Sequence, residues 1–149
     1  MTIQERIQQE LTAAMKAKES LKLDVLRGIK TALKLKEVEK IRVLSDPEVL
    51  QVIQTLVKQR KDSIEQFTLG GRIDLVTREE AELKILEGYL PAPINEIEIR
   101  TVILEVISEL QANSSKDIGR VMKTVMGRFA GKNVDGKTVN EIVRAQLGS

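Results

Sequence analysis

The sequence predicts an all-α protein, and three observations predict it. Apolar residues recur at three- and four-residue spacing almost throughout the 149 residues, as on helices with one face against a core. Four short polar residues stand ahead of such stretches with a Glu three positions on, the pattern of a capping box. No strand has comparable support.

The first helix is drawn over 2–18, opened by Thr2 with Glu5. The second covers 20–41. Its apolar residues Leu23, Val25, Leu26, Ile29, Leu33, Leu35, Val38 and Ile41 spread around much of the circumference, which predicts a central helix packed on several sides. Arg27, Lys30 and Lys34 emerge from a narrow sector of it. The third, 46–69, starts at Ser45 with Glu48, tolerates Pro47 in its first turn and stops at Gly70 and Gly71. The fourth, 73–89, carries a further box at Thr77 with Glu80. The segment PAPI follows, with two of the three prolines, and cannot continue a helix. The remaining helices are drawn at 96–111 (Asn95 with Glu98), 117–129 and 137–147. The organisation expected is an N-terminal helical bundle over 1–90, a Pro-containing linker at 91–94 and a small three-helix unit over 95–149.

Composition removes whole classes of chemistry. Cys and His are absent, which excludes disulfides, thiolate nucleophiles, the usual zinc sites and imidazole as a general base. Phe67, Tyr89 and Phe129 are the only aromatic residues, a poor stacking platform for bases. No run of about eighteen apolar residues occurs, so the expected location is cytoplasmic, with no membrane partner. The net charge of +2 conceals a pattern: residues 1–61 hold 13 basic and 8 acidic side chains, 62–115 hold 4 and 11, and 116–149 hold 7 and 3. Two basic ends flank an acidic centre.

GKNVDGKT, residues 131–138, satisfies the literal pattern of a phosphate-cradling loop. Its context is wrong, because RVMKTVMGRF before it has helical spacing and only 11 residues follow Thr138. The loop is read as a helix connection that still offers an anion site: Lys132 and Lys137 stand beside a helix start with free amides. Lys137, Asn140 and Arg144 then form a polar row opposite Val139, Ile142, Val143 and Leu147. Lys116, Arg120 and Lys123 form another, away from Ile118, Val121, Val125 and Met126. Two basic faces in one small unit favour a polyanion, RNA phosphate being the natural one.

Arg60 falls within the apolar stripe Ile53, Leu56, Val57, Ile64, Phe67, and Glu79 within the stripe Val76, Leu83, Leu86, Leu90 of the next helix. A partly buried guanidinium needs a carboxylate, so the two are expected to form a structural ion pair. Glu79, Glu80, Glu82 and Glu87 share one helix whose turns are alternately exposed, with no matching acidic cluster on a second helix to complete a metal site. No metal, no cofactor and no catalytic residue is expected.

The strings VLRGIKTALKLKEVE, QRKDSIEQF, GGRIDLVTREEAELKILEGYLP and DIGRVMKTVMGRFAGKNVDGKTVNEIV together resemble the standalone GatB/YqeY proteins over nearly the whole chain. The resemblance rests on Leu26, Arg27, Lys30, Gln59, Arg60, Ser63, Glu65, Phe67, Asp74, Glu79, Glu80, Leu90, Pro91, Gly119, Val139, Asn140 and Glu141. It implies two helical subdomains and a likeness to the tRNA-contacting tail of the B subunit of the glutamine-dependent tRNA amidotransferase, a carbon-nitrogen ligase. The centres that perform that reaction lie outside the tail. Lys132, Lys137, Asn140 and Arg144 are where tRNA contact carries over, although this chain has one more loop residue and Gly136 in place of a proline. The function expected is a non-catalytic tRNA or structured-RNA binding module, with amidotransferase or translation proteins as further partners. The alternative is a helical protein-interaction module with no RNA contact.

Overall fold

A computed structural model describes residues 1–148. Among them are seven α-helices: α1 Ile3–Ala17, α2 Ser20–Lys40, α3 Asp46–Leu69, α4 Ile73–Glu87, α5 Glu96–Leu110, α6 Ile118–Arg128 and α7 Gly136–Leu147. A single 3-10 turn, Ser115–Asp117, precedes α6, which the sequence draws as one helix from residue 117. The chain divides into one unit over Met1–Leu90 and a second from Pro91 onward.

The helix starts follow their capping chemistry, with two corrections. Thr2 with Glu5, and Ser45 with Glu48, form complete boxes in which each side chain takes a free amide of the other end. Asn95 accepts from the Glu98 amide at 2.8 Å, but Glu98 does not reach back. Thr77 caps nothing. It lies within α4 and donates to the Ile73 carbonyl at 3.0 Å, because that helix already starts at Ile73 behind Arg72. Three helices end on residues in the left-handed region that are not glycine: Lys18 (φ 57°), Ile41 (φ 56°) and Gln111 (φ 52°).

In the first unit α1 to α4 close around Leu26, Ile29, Val49 and Ile53, which are wholly buried. The C-terminal half of α2 is not central as its apolar pattern predicts. Leu35, Val38 and Ile41 are 67%, 74% and 89% exposed, because α1, α3 and α4 leave that side of α2 to solvent. Tyr89 joins the core just after α4, with the Arg6 guanidinium 4.7 Å from its ring centre. Burial, and then the Glu10 carboxylate, push its phenol well above the ordinary value.

The second unit packs Ile103, Val106, Val121, Val125, Val139 and Val143 of α5, α6 and α7 into its own core. The segment expected as a linker belongs to it. Ile94 donates its amide to the Asn133 carbonyl at 3.0 Å, and the Asn133 side chain donates to the Pro91 carbonyl at 3.0 Å, which ties residues 91–94 to the α6–α7 loop.

Candidate nucleic-acid interface

The loop GKNVDGKT leaves α6 and enters α7, so a helix stands where a phosphate-cradling loop needs a buried strand. Gly131 takes φ 80°, a turn open to glycine at no steric cost. Asn133 is held by the proline segment, and Val134 packs on the core. Asp135 then caps α7. Its carboxylate accepts from the Lys137 amide at 3.1 Å and from the Thr138 hydroxyl at 3.1 Å. The free amides expected at this helix start therefore already have an anion, supplied by the chain itself. A phosphate entering there would meet Asp135 first.

The seven residues predicted to contact RNA divide by their partners. Arg120 donates to the Leu110 carbonyl at 3.2 Å and to Asp117 at 3.0 Å, so it closes the end of α5 and serves the fold. Asp117 also accepts the Asn113 amide at 3.1 Å, and these two donors, the amide first, hold its carboxyl below the usual range. Arg144 donates Nε to Asn140 at 2.8 Å along the exposed side of α7. Lys132 lies 4.0 Å from Glu98. Lys116, Lys123 and Lys137 are exposed and enter no ion pair among the described residues. Lys116 and Lys123 stand on the turn before α6 and on α6, and Lys137 in the first turn of α7. No hydrogen bond or ion pair among the described residues links the row Lys116, Arg120, Lys123 to the row Lys137, Asn140, Arg144. Arg128 and Arg100 add little free charge, since Arg128 is held by Glu105 and Glu109 and Arg100 by Glu96.

Arg60 bridges α3 to α4. Its Nη1 donates to both Glu79 oxygens, at 3.1 and 2.9 Å, and lies 2.8 Å from Glu82, off the N–H direction. Glu82 is the residue that sequence reasoning missed. Placed with the exposed acids by its neighbours in sequence, it is buried, and Arg78 one turn earlier donates to its second oxygen at 3.2 Å. The signal was present in the spacing, because 79, 82 and 86 fall on one helical face and Leu86 is in the core. These carboxylates are matched by guanidinium groups, and among the described residues no group of acids converges as a metal site does.

The comparisons with known proteins agree on one family. The model of the Yqey-like proteins matches residues 4–147. The chain is 34% identical to the Altered inheritance of mitochondria protein 41, mitochondrial, of Kluyveromyces lactis, over 96% of this chain and 78% of that protein. It is 30% identical to the protein of the same name in Pyrenophora tritici-repentis, over 95% of this chain and 81% of that one. With both units inside the matched range and the helical pattern intact across it, this chain belongs to the Yqey-like family.

Proposed function

We propose that the protein is a non-catalytic module that binds tRNA or a similarly structured RNA through the second unit, accessory to amidation or translation. Lys116, Lys123 and Lys137 carry the reading. Exposed ammonium groups without a carboxylate partner keep their full charge for a polyanion, whereas most neighbouring arginines spend theirs inside the fold. Lys132 and Arg144 add to the same unit. With one Phe and no other aromatic residue in that unit, binding goes through phosphate and RNA shape, not base stacking. Such a role suits the cytoplasm and equally the mitochondrial compartment named for the fungal relatives.

The test is binding to intact tRNA and to single-stranded RNA of equal length at several salt concentrations. Three phosphate contacts give a slope of about −2 to −3 in log affinity against log salt. Replacing Lys116, Lys123 and Lys137 together by Glu weakens binding and flattens that slope. Equal binding by wild type and variant, or no binding of tRNA at low salt, sinks the reading. The second reading is protein docking, and the bare apolar strip of Leu35 and Val38 on α2, with Ile41 just beyond its end, favours it. Capture of partners from native lysate with and without nuclease separates the two, because partners held through RNA are lost on digestion.

A further inference from the structure

The first unit carries a groove that the RNA reading does not use. It runs between α1 and α2, with a volume of about 190 Å³. Ile7 and Leu33, both core residues, form its floor. At one end the Lys30 ammonium is held by the Gln8 side-chain oxygen at 3.0 Å. At the other the Gln4 amide donates to Glu37 at 2.9 Å. Lys34 stands on the wall between them, exposed and in no ion pair among the described residues.

This arrangement has a direction. Lys30, with the spare Gln8 amide protons, makes one end attractive to an anion, and Lys34 adds a second cation from the wall about one turn along α2. The far end keeps acceptor capacity on Gln4 and Glu37 after their mutual bond is made. Lys30 and Glu37 are seven residues apart, which at 1.5 Å per residue sets the two ends about 10 Å apart along the helix. An acyl chain would lie on the floor but bring no donor to the acceptors of Gln4 and Glu37 at the far end. A ligand with an anionic head, a flat apolar body and donor groups on its far edge satisfies all three parts. A single nucleotide has that form, its phosphate on the lysines, its base over Ile7 and Leu33 and an exocyclic amino group towards Glu37.

We propose that the α1–α2 groove binds one unpaired nucleotide, with Lys30 and Lys34 on the phosphate and Gln4 and Glu37 on the base edge. The proposal rests on the RNA reading only for where that nucleotide comes from. Its test uses the full chain and free ligands: each nucleoside 5′-monophosphate, the matching nucleosides, inorganic phosphate and hexanoate, followed by NMR at the Gln4 and Gln8 side-chain amides and the Ile7 and Leu33 methyls. Saturable shifts with a monophosphate are expected, and binding of the nucleoside or of phosphate alone about tenfold weaker. Lys34→Ala, at an exposed position that the fold does not need, weakens the monophosphate about tenfold. Glu37→Gln alters the preference among the four bases. The proposal is overturned if no monophosphate shifts these resonances, if phosphate or hexanoate binds as tightly, or if Lys34→Ala is silent. Groove shifts that persist in a protein that fails to bind tRNA would instead retire the RNA reading and leave the groove standing.

Discussion

Arg60 shows how one side chain joins two helices. Its exposure of 37% tempers the energetics, while Glu82, at 6%, raises them, because a buried carboxylate that loses a cation has no water to replace it. Arg60→Ala is expected to lower stability by about 2 kcal/mol, with Arg78 still in place to limit the loss. Lys61→Ala, one residue on and exposed, is expected to leave the denaturation midpoint unchanged. Equal midpoints for the two variants would mean that the Arg60 cluster contributes nothing to the fold. The pairing with Glu79 was legible because each residue interrupts an apolar stripe. Glu82 was not, because a run of four glutamates within nine positions reads as a solvent face unless each is placed on the helix singly.

At the scale of the helix, the ends differ in how openly the sequence states them. Ser, Thr and Asn with a following Glu announce a start because the side chains themselves carry out the capping. Thr77 with Glu80 imitates that signal inside α4, where the hydroxyl bonds back one turn instead. The stops are hidden, since Lys18, Ile41 and Gln111 adopt a conformation that glycine accepts more readily. At Ile41 the bond from the Arg42 amide to the Glu37 carbonyl, 3.2 Å, holds the turn despite a β-branched side chain. Since Ile41 is exposed and contributes little to the core, Ile41→Gly is expected to raise stability by about 1 kcal/mol. Chemical denaturation reads it directly, and a lower midpoint would show that the side chain packs on something after all. The bare strip on α2 was equally hidden, because periodicity reports that a face is apolar and not whether a neighbour covers it.

For the whole molecule, the division at the proline segment was readable in PAPI, yet the attachment of that segment to Asn133 was not. Hydrogen bonds between residues forty positions apart leave no local pattern in a single chain. Both cores are mostly aliphatic, with Tyr89 in the first and Phe129 in the second; Tyr89 is the only tyrosine of the sequence, and there is no tryptophan. The Tyr89 phenol is therefore a built-in optical label for one half of the chain. In the folded first unit it stays protonated where an ordinary phenol ionises, so the ultraviolet signal of tyrosinate at alkaline pH marks opening of that unit and is blind to the second. The raised value also sets a sign: the stability it contributes is complete below about pH 10 and is lost as pH rises above that. An alkaline titration followed by absorbance should give a step later and steeper than that of a free phenol, and a step at the ordinary position would show Tyr89 open to water. Loss of helix seen by circular dichroism without a change at Tyr89 would then belong to the second unit alone.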